Sequence, residues 1–373
     1  MRIGVLTGGG DCPGLNQAVR GIFLRAADFG HEIVGIKFGW RGVLDKLTCP
    51  LTPDDIDAIV DEGGTFLRTS RTNPAKKDEK TGKDQLDECQ RNIKEMGLDA
   101  VVAIGGDDTI GVGSKLAARG VPVVGVPKTM DNDLGETDYT FGFDSAVTWC
   151  MHALDSLRDT AKSHQRIMIL EVMGRHAGWV AIASGVAGGC DWILIPEVAG
   201  AVDEVDDAYA KEPPDERAAA AEFDKTNVEI AEMCAHLKAL RNRGRDWAVV
   251  VVSEGVACPS GTDPLKWDRD SFGHLRLSGA GKYVEDKVKE ILNADQRSVA
   301  LGHVMRGGSP TFFDRWLATR AGIKAVDLIN AGQFGQMAAI KGTEIVGVSM
   351  AAAVAKSKLV PVELYEEVRA LWK

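Results

Sequence analysis

Three short stretches of this chain crowd glycines, carboxylates and a lysine against the ends of apolar runs. The first is Thr7-Gly8-Gly9-Gly10-Asp11-Cys12-Pro13-Gly14-Leu15-Asn16. Glycines let a backbone approach a ligand closely, and a helix opening at Leu15 would offer unpaired N–H groups at its positive end. That outlines a phosphate cradle. It is not a P-loop, because Leu15-Asn16 stand where Lys-Ser/Thr would follow, and Pro13 replaces the third glycine of a dinucleotide fingerprint. A glycine turn with purely structural duty is the alternative.

The second stretch, Gly105-Gly106-Asp107-Asp108-Thr109, follows Ala100–Ile104 and opens a helical pattern at Ile110–Ala118. A carboxylate at the mouth of such a loop suits Mg2+ shared with transferring phosphates. Simple helix capping by Asp108 or Thr109 is the plain alternative. The third, Pro127-Lys128-Thr129-Met130-Asp131-Asn132-Asp133-Leu134, gathers two carboxylates, an amide, a hydroxyl and a lysine at one strand end. A phosphoryl acceptor needs a base close to its hydroxyl, and Asp131 has the right type for that work. A structural Asx-rich turn competes with this reading.

Four further stretches add cations and a carboxylate. Ser163-His164-Gln165-Arg166 leads into an apolar run that closes at Glu171-Val172-Met173-Gly174-Arg175-His176. Ala248–Val252 ends at Ser253-Glu254-Gly255, and Arg297 precedes a run ending in His303-Val304-Met305-Arg306. Arginine and histidine suit a sugar phosphate, and Glu254 suits sugar hydroxyls.

The elements that must position these residues are strands and helices in alternation. Candidate strands are Ile3–Thr7, Glu32–Phe38, Ala100–Ile104, Val121–Val126, Arg166–Val172, Trp192–Ile195, Trp247–Ser253, Val299–Val304 and Glu344–Val348. Helical patterns include Leu15–Ala27, Asp84–Met96, Ser145–Thr160, Gly281–Leu292 and Arg315–Asn330. Strands apolar on both faces belong in parallel sheets covered by helices, and their alternation predicts a doubly wound α/β fold. Ligands bind such sheets outside the carboxyl ends of the strands, where the motifs fall. Residues 201–225, with Asp203, Glu204, Asp206, Asp207, Pro213 and Pro214, break the pattern. They read as a solvated surface insertion that re-enters a helix near Arg217, with a lid or a subunit contact as alternatives.

Composition narrows the class. The 373 residues suit two α/β lobes, and 45% hydrophobic with 26% charged residues is ordinary for a soluble globular protein. A net charge of −10 argues against nucleic-acid or anionic-membrane partners, so cations for anionic ligands must be gathered locally. Seven irregularly spaced cysteines predict neither a disulfide framework nor a zinc site. No signal peptide or membrane span is legible, which predicts a cytoplasmic protein.

Read together, the motifs resemble the 6-phosphofructokinase family from Ile3 to about Asn330. The resemblance implies two similar doubly wound lobes. Residues 1–142 and 305–355 would hold the phosphoryl donor. Residues 143–304 with the 356–373 tail would hold fructose 6-phosphate and carry the 201–225 insertion. It implies Asp131 as the base on the sugar 1-hydroxyl, with Thr129 against the transferred phosphoryl group and Asp133 near the metal region. Asp107 would hold Mg2+, while Gly9, Gly10 and Arg71 would contact the donor phosphates. Met130, Met173, Gly174, Arg175, Glu254, His303 and Arg306 match the sugar-phosphate set. Arg166 and Arg297 match arginines contributed across a subunit interface, which implies a homodimer or homotetramer.

Two positions bear on the donor. ATP-using members usually have glycine where Asp108 stands and often where Lys128 stands. A carboxylate ~4 Å from a nucleotide α-phosphate is repelled by roughly 4 kcal/mol at an effective dielectric of 20, or about a thousandfold in affinity. Lys128 adds a cation where pyrophosphate lacks a nucleoside handle. The Asp108–Lys128 pair therefore resembles the pyrophosphate-dependent branch. ATP dependence is the alternative, and a catalytically silent sugar-phosphate-binding subunit is a second. Leu24 stands where bacterial ATP enzymes place an effector-binding arginine, so that form of allosteric control is not expected.

Overall fold

The computed structural model describes residues 1–77, 82–211, 214–259 and 279–372. The chain divides into two compact units. One comprises Met1–Ser145 and Arg306–Ser357, the other Ala146–Met305 and Lys358–Lys373.

The first unit holds a seven-stranded sheet. Its strands are β1 (Arg2–Thr7), β2 (Glu32–Ile36), β3 (Thr48–Pro50), β4 (Ala100–Gly105), β5 (Val123–Pro127), β10 (Gln336–Lys341) and β11 (Glu344–Ser349). Their order is β11-β10-β5-β4-β1-β2-β3, parallel except for the two edge pairs β2–β3 and β10–β11. Every residue of β4 and β5 is buried, which is why these strands are apolar on both faces. The order reverses direction between β1 and β4, and a doubly wound sheet opens its ligand crevice at that reversal. Both glycine loops leave the sheet there.

The helix Leu15–Asp28 packs at close range against Phe312–Asn330, which the chain contributes after its excursion through the other unit. A Cβ on Gly21 would lie 2.3 Å from the Thr319 carbonyl oxygen, and one on Gly322 2.3 Å from that of Ala18. Only glycines allow this crossing, and it fixes the helix that begins at the first glycine loop. Asp314, fully buried, accepts hydrogen bonds from the Ser145 backbone N–H (2.8 Å) and hydroxyl (2.6 Å), tying the re-entering segment to the start of Phe143–His164.

The second unit holds β6 (Ile167–Val172), β7 (Trp192–Leu194), β8 (Ala248–Ser253) and β9 (Gln296–Ala300) in the order β7-β8-β6-β9, every pair parallel. The run predicted as a strand over Val299–Val304 differs. The strand ends at Ala300, and Gly302 at φ 54° turns the backbone into the 3-10 helix Gly302–Arg306.

The 201–225 stretch is not a solvated excursion either. Val202–Tyr209 and Glu216–Asn242 are helices, Pro213 lying outside the described residues. Val205, Ala208, Ala219 and Ala257 form a small core beneath them, while the acidic residues line the first helix's other face. The Thr226 hydroxyl donates to the Ala257 carbonyl at 2.6 Å, and Glu222 accepts from the Ala201 N–H at 3.0 Å. The acidic run masked the i, i+3 apolar spacing of Val202, Val205 and Ala208. Among the described residues no helix is long and apolar enough to cross a membrane.

Candidate active site

In the first unit, backbone hydrogen bonds knit the strand-end loops together. The Gly8 N–H donates to the Ile104 carbonyl at 2.9 Å, joining the β1 and β4 loops, and Lys128 N–H donates to Gly105 O at 2.9 Å, joining β4 to β5. Gly14, at φ 108°, caps Leu15–Asp28 without a side-chain hydrogen bond, and a Cβ there would sit 2.6 Å from the Phe141 ring. The first turn of that helix carries no acidic residue, so its N–H groups remain an anion-attracting end.

Lys128 is buried, with 4% of its surface exposed, and its ammonium donates to the Gly10 carbonyl. Burial holds its pKa below the usual lysine value. Arg306 pushes the same way, while Cys12, Asp131 and Asp11 oppose them. A cation kept out of water at a glycine loop is a strong attractor for an incoming anion. Arg306 closes the other side of that loop, its guanidinium donating to the Asp11 carbonyl at 3.1 Å. A Cβ on Gly10 would meet it at 2.7 Å. The Cys12 thiol is pushed up to about 12 by burial, so it remains protonated and inert.

Asp131 lies in the β5 loop, where its backbone N–H donates to the Thr129 hydroxyl at 3.1 Å. Asn132 follows at φ 53°, a conformation asparagine tolerates, and its side chain accepts from the Thr140 N–H at 3.1 Å. The Thr140 hydroxyl donates to Thr129 O at 2.5 Å. These bonds fix the loop, yet the Asp131 Oδ1 is buried with no hydrogen-bond partner among the described residues. A buried unpartnered carboxylate oxygen is costly unless a ligand satisfies it.

Asp107 and Asp108 form the exposed first turn of the helix Asp107–Ala118. Among the described residues no three His, Cys, Asp or Glu side chains cluster as a metal cage. Mg2+ is commonly held by one or two carboxylates, with the remainder from substrate phosphates and water. Asp107 is the residue that would supply the protein oxygen. Asp108 accepts a hydrogen bond from the Asn73 amide at 2.9 Å. The segment before Asn73 is bound to the first glycine loop, Gly9 N–H donating to Ser70 O (3.1 Å) and the Thr69 hydroxyl to Gly9 O (2.6 Å). Arg71 is thereby carried on a segment hydrogen-bonded to the loop of Gly9 and Gly10. Met130, expected to meet substrate, is 1% exposed and its side chain belongs to the interior.

In the second unit, Met173, Gly174 and Arg175 leave the carboxyl end of β6 and Glu254 leaves that of β8. Gly174, at φ 138°, donates its N–H to Glu254 at 3.3 Å and accepts from the Ser253 hydroxyl at 2.7 Å. The Met173 N–H meets the Met305 sulfur at 3.4 Å, linking this loop to the exposed His303 turn. His176 faces Asp203 at 2.5 Å, which joins the loop to the inserted helices. Arg166 and Arg297 do not join this group. They lie at the amino ends of β6 and β9, roughly 20 Å away by strand rise, and both pair with Asp295.

Sequence reasoning missed Asn73, Asp203, Thr140 and the Asp11 carbonyl. Asp11 lies in the first glycine stretch but its carbonyl carries no side-chain signal; of the others Asn73, in Arg71-Thr72-Asn73-Pro74, was the most visible, as an Asx residue before proline.

Two doubly wound sheets, with glycines, carboxylates and a buried lysine at the strand carboxyl ends, define an α/β protein organised around anionic ligands. The family model described as Phosphofructokinase matches residues 2–329, and the chain belongs to that family. It is 46% identical over 371 residues to a pyrophosphate–fructose 6-phosphate 1-phosphotransferase of Dictyoglomus thermophilum, covering 99% of this chain and 98% of the relative. It is 41% identical over 369 residues to ATP-dependent 6-phosphofructokinase 3 of Streptomyces coelicolor, covering 98% of each. Its fold matches a crystal structure of a pyrophosphate-dependent phosphofructokinase from Nitrosospira multiformis with TM-score 0.75 and 19% identity, across all of this chain and 92% of that one.

Proposed function

We propose that this protein transfers a phosphoryl group from pyrophosphate to the 1-hydroxyl of fructose 6-phosphate in the cytoplasm, giving fructose 1,6-bisphosphate and phosphate. The observation that carries the donor assignment is Asp108, a second carboxylate in the β4 loop restrained by Asn73 at 2.9 Å. Relatives using either donor lie within five percentage points of identity, so the overall match does not choose between them. The local charge supports pyrophosphate. Asp108 disfavours a nucleotide α-phosphate, and buried Lys128 compensates the compact charge of pyrophosphate.

In this reading the first unit handles the donor. Gly9, Gly10, Arg71 and Lys128 bind its phosphates and stabilise charge on the transferring group. Mg2+, when bound through Asp107 and the phosphates, supplies charge neutralisation. Asp131 takes the proton of the sugar hydroxyl at its unpartnered oxygen, and Thr129 orients the transferred group. The second unit handles the sugar phosphate through Met173, Gly174, Arg175, Glu254 and His303. Arg166 and Arg297, remote from that loop in their own chain, serve a neighbouring copy in a homodimer or homotetramer. The phosphoryl bonds exchanged are similar in energy, so the reaction runs both ways.

The test is fructose 1,6-bisphosphate formation with Mg2+ and either pyrophosphate or ATP. Pyrophosphate alone should support turnover. Turnover with ATP alone keeps the family assignment and overturns the role given to Asp108.

A further inference from the structure

The stretch Thr140–Ser145 is wedged between two strand-end loops of the first unit. Toward the β5 loop, the Thr140 hydroxyl donates to the Thr129 carbonyl and its N–H to the Asn132 side chain, while Phe141 pairs its backbone with Lys128. Toward the first glycine loop, the Cys12 thiol donates to the Phe141 carbonyl at 3.7 Å, and a Cβ on Gly142 would lie 2.4 Å from the Cys12 sulfur. A shift of this stretch therefore moves both loops. Its far end is fixed by the start of Phe312–Asn330. The Ser145 N–H and hydroxyl donate to one oxygen of Asp314, at 2.8 and 2.6 Å. Thr311 adds its own ties, its N–H donating to the Ser145 hydroxyl at 3.1 Å and its hydroxyl to Asp144 at 2.5 Å. Asp314 has 0% of its surface exposed, and burial pushes its pKa up to about 6, against the opposing pull of the Ser145 bonds and the Gly142 N–H. Asp144 and Cys12 face it from the neighbouring elements. At neutral pH the fold thus keeps a charge that it penalises, the mark of a group retained for function at the expense of stability.

We infer that Asp314 is a positioning residue for phosphoryl transfer, holding the Thr140–Ser145 stretch through Ser145 and so keeping the first glycine loop and the Asp131 loop in register. The inference rests on the roles proposed above for those loops and holds for either phosphoryl donor. A carboxylate only accepts, so it takes both Ser145 bonds; a protonated carboxyl or an amide turns a donor toward groups that are themselves donors. Thr311 keeps its ties to Ser145 and Asp144 when the charge is lost, so the stretch shifts and does not unfold. A misplacement of ~1 Å can cost about a hundredfold in rate. The smaller shift expected here should cost about tenfold in kcat. Stability moves the other way. A folded pKa of about 6, above that of the unfolded chain, means that folding favours the protonated form. That contribution is full below the unfolded value and is lost as pH rises through about 6.

Asp314→Asn and Ser145→Ala test this as full-length proteins, by kcat against pH with Mg2+, pyrophosphate and fructose 6-phosphate and by thermal midpoint. At pH 7.5 Asp314→Asn should lose about tenfold in kcat, hold KM for fructose 6-phosphate, and keep or raise the midpoint. Ser145→Ala removes a hydroxyl that lowers the Asp314 pKa, so the acid limb of its kcat profile should move to higher pH. Substrate phosphates titrate near pH ~6 as well, so the displacement between variants is the readout, and a substrate's own limb stays in place. Should Asp314→Asn fail to fold, the displaced limb of Ser145→Ala decides. An unchanged kcat in Asp314→Asn, a midpoint that falls along with kcat, or an undisplaced limb in Ser145→Ala overturns the role of Asp314. Wild-type turnover with ATP in place of pyrophosphate overturns the donor reading alone, and the same comparison made with ATP then decides the role of Asp314.

Discussion

The two units hold their charged groups in different ways. In the first, Lys128, Arg306 and the Asp131 loop are fastened to backbone carbonyls and N–H groups of neighbouring strand-end loops. In the second, backbone bonds fasten the Met173–Arg175 loop, but Arg166 and Arg297 share the carboxylate of Asp295 at the far end of the sheet. Side chains locked to backbone reorganise little when charge moves, and this is the property a phosphoryl-transfer step uses. Arginines paired with a carboxylate must exchange one anion for another when a ligand arrives. On the proposed function, the contrast would suit chemistry in the first unit and adaptable binding in the second.

The largest expected effect lies at Asp131. Asp131→Asn should lower kcat by about 10²–10⁴-fold, the usual loss for a general base, with KM for both substrates within a few-fold. Because Oδ1 has no partner among the described residues, the substitution breaks no bond seen at that atom, and the thermal midpoint should hold. Loss of stability in proportion to activity would make Asp131 a structural residue and erase the contrast.

Next comes Lys128, where function and stability should part. A folded-state pKa below the ordinary lysine value means that the folded protein penalises the charged form. The penalty is present while the lysine is protonated in both states, below its lowered folded-state value. It is relieved as pH rises from the lowered folded value toward that of the unfolded chain, so this residue makes stability increase with pH in that interval. Lys128→Met should therefore leave the urea midpoint at pH 7 equal or higher and flatten its rise at alkaline pH. Meanwhile kcat/KM for pyrophosphate should fall by about 10²-fold. A destabilised variant would mean that its bond to Gly10 outweighs the burial of its charge.

How much of this was legible in the sequence follows from what each feature depends on. The doubly wound fold was, because apolar strands and glycine-punctuated turns are local signals; β1, β4, β5, β6 and β8 lie within a residue or two of the expected runs. The short edge strand β3 and the hairpin strand β10 were not, since neither has a distinctive pattern. Residue types marked Asp107, Lys128 and Asp131 as candidates, and the structure places them at or just beyond the carboxyl ends of β4 and β5. What stayed hidden was partnership across long separations. Asn73 and Asp108 are 35 residues apart, and Asp11 and Arg306 are 295 apart. The unpartnered oxygen of Asp131 is likewise a property of the packed loop and of no motif.

The smallest effect probes the second unit. Asp295 has its pKa held below the usual carboxylate value, first by its hydrogen bond to Arg166, against desolvation, with Arg297 adding a lesser lowering. Arg297 donates to it at 2.9 Å, with about half of both side chains exposed. Exposed pairs of this kind are weak and screened by salt. If Asp295 competes with an incoming sugar phosphate for the two arginines, Asp295→Asn should lower KM for fructose 6-phosphate roughly threefold, and less at high salt. Donor KM should not move. A higher KM would mean that Asp295 aims the arginines, making this end of the sheet as preorganised as the glycine loops. A dependence of KM on protein concentration in the variant alone would instead place Asp295 in subunit association. In either case the difference between the units would lie in where preorganisation is built, at strand ends in one and at an edge in the other.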